Sequence, residues 1–325
     1  MLKKILITGA NGYIGNCLFH ILKNEFNVIG IDKKKSNNKK VFQCNILNKS
    51  KFNSIIKREK PEVIVHLAAQ SLVDETINKE KYYTNNNKAT EVLLEIMKNN
   101  DVKKIIFSST AAIYQQSSNP LKENSNLKAL STYAKTKLIC EKKIQKEKNL
   151  KFIILRFFNV CSALDKPITG EFHNPETHLI PTIVYKAMFN KRIYIYGNDF
   201  NTPDGTCIRD YIHIKDICSA IEKSIRYISK NNKSKIFNIG NRRGLSNKQI
   251  INYIQKRMND EINIKYVNRR KDDVSKLICN SNYVKKILNW GAKNSNIKKI
   301  VDDEIKWISK FTNSGLERKF KNYLK

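Results

Sequence analysis

The stretch ILITGANGYIG, residues 5–15, decides the fold of this chain. It opens with an apolar run that predicts a short buried strand, and the helical pattern Ile14–Leu22 overlaps its end. Between strand and helix the glycines have the spacing GxxGxxG: Gly9, Gly12 and Gly15. In such a loop the glycines permit a tight turn, close approach of a pyrophosphate and close packing of helix on strand. Because the amides of a helix N-terminus favour anions, the stretch predicts a dinucleotide site.

Apolar runs and helical patterns alternate beyond this loop as far as residue 160. The predicted strands are Ile5–Ile7, Asn27–Asp32, Val41–Cys44, Val63–Ala68, Lys104–Ser108 and Phe152–Arg156. The predicted helices are Ile14–Leu22, Lys49–Lys57, Asn85–Met97 and Tyr133–Lys148. This alternation predicts an α/β fold with a doubly wound parallel sheet, whose ligand lies at the carboxyl ends of the strands.

The pattern changes after residue 160. Predicted loops cover Leu164–Glu176 and Asp199–Thr206, with strands at Arg192–Tyr196 and Ile236–Ile239 and helices at Pro181–Phe189, Ile214–Ile228 and Ser246–Met258. We therefore predict a dinucleotide-binding domain in residues 1–160, which also carries the catalytic pair described below. Residues 161–325 are predicted to form mainly a smaller substrate-binding lobe, partly interleaved with the first domain.

Asp32 ends the second predicted strand, about 20 residues after the glycine loop. A carboxylate at that place hydrogen-bonds ribose hydroxyls, which favours NAD over NADP. The basic run Lys33–Lys35 that follows is the one feature nearby that points the other way.

The chain has 325 residues, and 61 Lys and Arg against 29 Asp and Glu leave a formal net charge of +32. Such a charge suits a nucleic-acid or membrane partner, but a binding site clusters its charge on one face. Here Lys and Asn are abundant along the whole chain, so a general compositional drift explains the charge better. We predict no nucleic-acid and no membrane partner.

Seven cysteines are present, and none forms a CxxC pair. The apolar run near the N-terminus is too short for a signal sequence or a membrane span. Both features predict a reduced, cytoplasmic protein. We predict no metal site.

Tyr133 and Lys137 stand four residues apart in YAKTK on a predicted helix, so they share a face. A neighbouring ammonium lowers the pKa of a phenol from its ordinary value near 10, which makes Tyr133 a usable general acid or base. The alternative is an ordinary exposed pair on a helix.

Ser108-Ser109-Thr110 follows a predicted strand, and this cluster strengthens the catalytic interpretation. The Thr110 hydroxyl can share a hydrogen bond with a substrate alcohol and Tyr133, or it can serve only as a turn residue. The two alanines that follow, Ala111 and Ala112, cannot do acid–base chemistry.

Several motifs together resemble one family: TGANGYIG (8–15), FSSTAAIY (107–114), YAKTK (133–137) and YGNDFNTPDGTCIRDYIHIKD (196–216). The last is the specific one. On these motifs the chain is similar to the UDP-glucose 4-epimerases, which are Rossmann-like enzymes of the extended short-chain dehydrogenase/reductase family. The resemblance covers nearly the whole chain.

The resemblance implies an isomerase with tightly bound NAD. Tyr133, with Lys137 and Thr110, would take the proton of the sugar 4-hydroxyl while NAD takes hydride from C4. The 4-keto intermediate would turn over in the pocket and receive hydride on its opposite face. The sugar stays open between UDP-glucose and UDP-galactose and their N-acetyl forms, with the modest size of Leu277 hinting at the latter. A homodimer through helices Ala89–Asn99 and Tyr133–Lys148 is also implied.

The resemblance assigns site residues by position. Those implied to bind the cofactor are Gly9, Gly12, Tyr13, Ile14, Gly15, Asp32, Asn45, Ile46, Leu67, Ala68, Ala69, Asn85, Lys137 and Phe158. Those implied to bind the UDP-sugar are Thr110, Tyr133, Asn159, His178, Leu179, Tyr196, Arg209, Arg270 and Asp273. Two arginines suit a pyrophosphate through charge-assisted bonds. The alternative for Arg209 is a surface ion pair with Asp210.

Related activities stay as alternatives. A nucleotide-sugar 4,6-dehydratase needs an acid pair after the catalytic threonine, where this chain has Ala111-Ala112. A UDP-uronate epimerase or decarboxylase needs a pocket for a carboxylate. A non-catalytic NAD-binding protein or a nucleic-acid-binding protein is the remote alternative.

Overall fold

The computed structural model describes residues 3–71, 78–171, 176–259, 261–270 and 273–313. The strands are β1 (Lys4–Thr8), β2 (Asn27–Asp32), β3 (Val41–Gln43), β4 (Val63–His66), β5 (Lys104–Thr110), β6 (Lys151–Phe157), β7 (Asn159–Cys161), β8 (Ala163–Asp165), β9 (Ile168–Gly170), β10 (Ile193–Tyr196), β11 (Ile208–His213), β12 (Lys235–Ile239), β13 (Gly244–Ser246), β14 (Ile264–Val267) and β15 (Lys276–Leu277). The α-helices are α1 (Tyr13–Leu22), α2 (Lys49–Glu59), α3 (Lys79–Tyr82), α4 (Ala89–Asn99), α5 (Thr132–Lys146), α6 (Leu179–Met188), α7 (Ile214–Asn231), α8 (Asn247–Met258), α9 (Asn282–Leu288) and α10 (Ile297–Asn313). A π-helical segment, Tyr83–Lys88, joins α3 to α4, and a 3₁₀ turn, Ala111–Ile113, follows β5.

Seven parallel strands form the main sheet, in the order β12-β6-β5-β4-β1-β2-β3. The chain starts in the middle at β1, runs outward to β3, and then returns across β4 to the opposite edge. A parallel sheet opens a crevice where the strand order reverses, which here lies between β1 and β4. The prediction of a doubly wound parallel sheet is confirmed.

Apolar side chains cover both faces of this sheet, as the nearly uninterrupted apolar strands require. One core packs the sheet against α1 and α7, with Leu18 and Ile221 fully buried. The second packs the other face against α2, α4 and α5, with Phe52 and Leu93 fully buried. With both faces covered, the ends of the strands are where the sheet can bind a ligand.

The part of the chain after residue 160 contributes to the main sheet and also forms smaller sheets of its own. β12 pairs with β6 at the edge of the main sheet, and α7 packs on the same face as α1. β7 pairs with β11, which also pairs with β13 and β15, while β10 pairs with β14. These elements, with α6, α8 and α10, enclose a third core around Ile183 and Ile254.

The predicted loop at Leu164–Glu176 is wrong in its first half, where β8 and β9 form an antiparallel hairpin. Each strand has only three residues, too few to show alternation in the sequence, and Gly170 packs against Trp307 of α10. Residues 172–175 of that loop lie outside the described residues.

In the ranges that the structure describes, no helix combines the length and apolar character needed to cross a membrane.

Candidate active site

The glycine loop lies between β1 and α1, at the crevice. Gly9 has a φ of +72°, and a Cβ there would lie 2.9 Å from backbone atoms of Ala68. A Cβ on Gly15 would lie 2.1 Å from the carbonyl oxygen of Gly9. Neither Gly9 nor Gly15 could therefore carry a side chain. Their absence of a Cβ lets the first turn of α1 pack closely against the carboxyl end of β1.

Gly15→Ala is expected to destabilise the protein by about 1–3 kcal/mol and to weaken cofactor retention, because a rigid backbone oxygen blocks the new methyl group. Gly291→Ala is the matched control, since a Cβ there meets nothing within 4 Å. Urea unfolding and the NAD content of the purified variants measure both effects. Equal stability of the two variants would contradict the tight packing at Gly15.

Asp32 stands at the carboxyl end of β2 and fixes the loop through two hydrogen bonds. Its carboxylate accepts from the backbone N–H of Asn11 at 2.9 Å and from that of Lys34 at 2.9 Å. Gly12 is exposed and forms the N-cap of α1, so its open backbone can approach an anion. An exposed glycine cradle with an acidic group on the next strand fits a dinucleotide.

The other residues predicted to bind the cofactor cluster at the same edge of the sheet. Asn45 and Ile46 follow β3, Leu67, Ala68 and Ala69 follow β4, and Phe158 follows β6. Asn85 lies in the π-helical segment. Its neighbour Asn86 is buried and forms three side-chain hydrogen bonds. The backbone N–H of Gln70 donates to Asn86 Oδ1 at 2.7 Å. Asn86 Nδ2 donates to Gln70 O at 3.3 Å and to Thr136 Oγ1 at 2.9 Å. The structure thus brings these residues to one edge, and their contacts with the cofactor stay predictions.

Thr110 and Tyr133 meet at the carboxyl end of β5. Tyr133 lies in the first turn of α5, which begins with Ser131 accepting the Ala134 N–H at 3.2 Å. The Thr110 side chain interacts with the Tyr133 phenol and lowers its pKa. Thr110 Oγ1 also accepts the Ala112 N–H at 3.1 Å. Thr110 is therefore both a turn residue and a partner of Tyr133.

Lys137 lies one turn after Tyr133 and is 3% exposed. Its ammonium donates to the carbonyl oxygen of Ser108 at 2.7 Å and lies 6.0 Å from the centroid of the Tyr133 ring. Burial lowers the pKa of Lys137 to about 8. The alternative of an exposed helix pair is therefore wrong, because β5 and α5 enclose the ammonium.

The pKa of Tyr133 differs from the sequence-based prediction. Burial raises it to about 12, and the hydrogen bond with Thr110 opposes that rise. The predicted lowering by Lys137 is wrong for this geometry, because the ammonium is directed to Ser108 and desolvation of the phenol dominates.

Sequence reasoning missed the buried network behind the catalytic pair. The Thr90 hydroxyl donates its proton to Asn86 O at 2.7 Å. The Thr90 oxygen therefore accepts the hydrogen bond from His66 Nε2, at 3.2 Å. His66 Nδ1 then accepts from the Thr8 hydroxyl at 2.7 Å, which makes the ring neutral. Burial, reinforced by the charge of Lys137, lowers the pKa of His66 to about 3. The sequence around His66 gives no sign of these partners, because Thr8 and Thr90 are distant from it along the chain.

His66 is expected to make stability pH-dependent. Its folded pKa of about 3 lies below the unfolded value of about 6.5, so the unfolded chain binds more protons between these pH values. Stability is then lost as the pH falls below 6.5. Between pH 6.5 and 5, urea unfolding should show a loss about 2 kcal/mol larger in the wild type than in His66→Gln. His20→Gln, at a half-buried histidine, is the control, and it should alter the loss of unfolding free energy less than His66→Gln does. Equal losses in the wild type and both variants would contradict the expectation.

Arg209 lies on β11, which pairs with β7, β13 and β15, and its side chain is mostly buried. Its Nη2 lies 3.4 Å from the Asp273 carboxylate, so these two predicted substrate residues are neighbours. The alternative of an ion pair with Asp210 is wrong. Neighbouring residues of a strand face opposite sides, and the Asp210 carboxylate accepts backbone N–H groups of Asn241, Arg242 and Cys279.

Tyr196 and Arg270 form a second pair, with the guanidinium 4.3 Å from the centroid of the exposed ring. Asn159 lies on β7, in register with Tyr211 of β11. His178 is the N-cap of α6 and Leu179 its first residue. Apart from Thr110 and Tyr133, the predicted substrate residues thus lie on elements that follow the sixth strand of the main sheet. Their contacts with a sugar nucleotide stay predictions.

Comparisons with known proteins agree with this geometry. The family described as "NAD dependent epimerase/dehydratase family" matches residues 5–240. The UDP-glucose 4-epimerase of Streptococcus mutans is 36% identical over 324 residues, covering 94% of this chain and 97% of that protein. The UDP-glucose 4-epimerase of Lacticaseibacillus casei is 35% identical, covering 93% of this chain and 96% of that protein.

Solved structures give the same result. A UDP-glucose 4-epimerase crystal structure matches with a TM-score of 0.90 and 34% identity, over 96% of this chain and 99% of that one. The Bifidobacterium longum enzyme in complex with NAD+ and UDP gives 0.88 and 26%, over 96% and 99%. The UDP-Glc/GlcNAc 4-epimerase of Campylobacter jejuni gives 0.80 and 31%, over 95% and 99%. This chain therefore belongs to the NAD dependent epimerase/dehydratase family.

Proposed function

We propose that this protein is an isomerase that inverts C4 of a UDP-hexose with NAD as its cofactor. The observation that carries this is the group of Thr110, Tyr133 and Lys137 at the strand ends of a sheet that also carries the glycine loop. The full-length similarity to UDP-glucose 4-epimerases supports it.

The glycine loop and Asp32 would hold NAD, which when bound would supply the hydride acceptor and donor for C4 of the sugar. Tyr133 takes the proton of the 4-hydroxyl in the oxidation and gives it back in the reduction. Thr110, whose side chain interacts with the Tyr133 phenol, would orient the 4-hydroxyl of the sugar for this proton transfer. Lys137, held by the carbonyl oxygen of Ser108 with its ammonium 6.0 Å from the centroid of the Tyr133 ring, would bind the nicotinamide ribose.

The elements after residue 160 supply the UDP site in this proposal. Arg209 and Arg270 bind the diphosphate, and their neighbours Asp273 and Tyr196 hold the two guanidiniums in place. Asn159, His178 and Leu179 complete the site. The functional division is then residues 1–160 for NAD and mainly 161–325 for the sugar nucleotide.

The products separate this activity from its alternatives. UDP-galactose should give UDP-glucose without added NADH, because the hydride returns to the substrate. A 4-keto-6-deoxy product would instead identify a 4,6-dehydratase. Ala111 and Ala112 favour epimerisation, because an elimination needs an acid pair in that place.

The sugar is decided by an assay on UDP-glucose, UDP-galactose and their N-acetyl forms. Leu277 is 9% exposed and lies in register with Arg209, so a side chain smaller than tyrosine borders the proposed substrate site. The similar C. jejuni enzyme is described as acting on both UDP-Glc and its GlcNAc form. We propose that this protein also accepts both forms. A rate for the N-acetyl pair below about a thousandth of that for the plain pair would exclude this.

We propose a cytoplasmic homodimer. The seven cysteines are unpaired and buried, as suits a reducing compartment. The dimer forms through α4 and α5, whose exposed Glu91 and half-buried Lys143 already pair within one chain. Light scattering on the eluted protein tests this, and a monomer at micromolar concentration would contradict it.

A further inference from the structure

Asp210 lies beside Arg209 on β11 and is 0% exposed. Its carboxylate accepts three backbone N–H groups: that of Asn241 at 2.7 Å, that of Arg242 at 2.9 Å and that of Cys279 at 3.0 Å. A carboxylate without such donors is costly to bury. The three amides and the carboxylate therefore hold one another in place.

The three amides come from both flanks of β11. β13 pairs with β11 as far as Asp210, and the amides of Asn241 and Arg242 belong to the turn between β12 and β13. β15 pairs with β11 as far as Arg209, and Cys279 follows shortly after β15. Both ladders thus stop at this place, and the Asp210 carboxylate accepts backbone donors that lie beyond their ends.

The two flanks approach each other closely at the carboxylate. A Cβ on Gly240 would lie 2.4 Å from the Cβ of Cys279 and 3.1 Å from Asp210 Oδ2, so a side chain has no room there. Arg242 has a φ of +67°, a left-handed conformation that a residue other than glycine adopts at a cost. Asp210 offsets this cost, because the Arg242 N–H is one of its donors.

The position of the Arg209 guanidinium depends on this junction as well as on its side-chain contacts. Nη1 donates to the carbonyl oxygen of Ile208 at 3.0 Å, on the same strand, and Nη2 lies 3.4 Å from Asp273 Oδ1. The Arg209 backbone is in register with Leu245 of β13 and Leu277 of β15. A change in how these two strands flank β11 would therefore move the guanidinium.

We propose that Asp210 is a positioning residue, whose carboxylate joins the flanks of β11 and so places Arg209 for the diphosphate of the substrate. This inference rests on the proposed function, in which Arg209 binds that group. A displacement of about 1 Å is enough to weaken such a charge-assisted contact. Asp210 acts through its neighbour, because its own side chain faces the opposite side of the strand. Binding of the diphosphate is the same before and during the reaction at C4, so a misplaced Arg209 raises KM and leaves kcat unchanged.

The test is calorimetric titration of the full chain with UDP, together with steady-state kinetics on UDP-galactose. Burial raises the pKa of Asp210 to about 7, so both are measured at about pH 8.5, where the carboxylate is ionised. Asp210→Asn keeps the size of the side chain but replaces an acceptor oxygen by an NH₂ donor that meets a backbone N–H. It should raise the Kd for UDP and the KM about tenfold and leave kcat within about twofold.

The Arg209→Gln background shows whether Asp210 acts through Arg209. There Asp210→Asn should weaken UDP binding by less than about twofold more, because the contact that it misplaces is already lost. Asp216→Asn is the matched control. Asp216 is 2% exposed and accepts backbone N–H groups of Lys293 at 3.1 Å and Asn294 at 2.8 Å, in a segment without predicted substrate residues. This variant should lower the Tm as Asp210→Asn does, yet bind UDP like the wild type.

Two results would overturn the inference alone: unchanged UDP affinity in Asp210→Asn, or an equal loss of affinity with and without Arg209, which would mark a general structural effect. If Asp210→Asn does not fold, Gly240→Ala displaces the same junction and replaces it in both backgrounds, with the same expected result. A wild type that does not bind UDP would refute the proposed UDP site, and this inference with it.

Discussion

Tyr133→Phe is expected to lower kcat for interconversion of UDP-galactose and UDP-glucose by about 10³-fold, because general acid–base catalysis contributes roughly 10²–10⁴. The variant keeps the ring and loses only the phenolic hydroxyl, whose pKa the Thr110 side chain influences. Cofactor content of the purified protein should equal that of the wild type, since the glycine loop and Asp32 are unchanged. A coupled assay and NAD released on denaturation measure the two quantities.

Tyr253→Phe is the matched control, because it removes a phenolic hydroxyl from half-buried Tyr253 on α8, packed against the third core. Its kcat should match the wild type. A Tyr133→Phe protein with more than about a tenth of wild-type activity would show that another group moves the proton.

Glu141→Gln is expected to lower the free energy of unfolding by about 3–5 kcal/mol, the usual cost of removing one partner of a buried ion pair. Glu141 is 0% exposed and Arg156 3%. The guanidinium binds the carboxylate twice, through Nε at 3.0 Å and Nη2 at 2.7 Å, and the Ser109 hydroxyl donates to it at 2.5 Å. The change would leave the arginine charge buried and unpaired.

The same pair positions the catalytic helix. Glu141 lies one turn after Lys137 on α5, and its two partners lie on β6 and β5. Arg156 Nη1 also donates to Tyr114 OH at 2.8 Å, and that hydroxyl donates to Asn238 Oδ1 of β12 at 2.6 Å. We therefore expect Glu141→Gln to lower kcat as well as stability.

Glu95→Gln is the control for stability, because Glu95 pairs with Lys49 in solvent and such pairs contribute about 0–1 kcal/mol. Urea unfolding measures all the variants. The double replacement Glu141→Leu with Arg156→Met should lose less than Glu141→Gln, since it leaves no unpaired charge. Similar losses for Glu141→Gln and Glu95→Gln would contradict this account.

The local sequence determined much of the fold, because interactions between residues close in the chain are sufficient to specify its strands, turns and helices. Apolar runs such as Ile5–Ile7 form strands buried on both faces, and the glycines of the loop admit a single kind of turn. The spacing of Tyr133 and Lys137 follows from one helix. These short-range constraints predicted the parallel sheet, the ligand edge and the catalytic pair.

The tertiary structure alone decided the contacts between residues distant in the chain. It directed the Lys137 ammonium to Ser108, raised the pKa of Tyr133 by burial, and paired Arg209 with Asp273 rather than Asp210. It also brought Glu304 of α10 beside Glu171 and Glu176. The spacing of residues in the sequence does not predict these pairs. They depend on burial and charge, which are set by the elements that pack together, and that packing is a property of the whole chain.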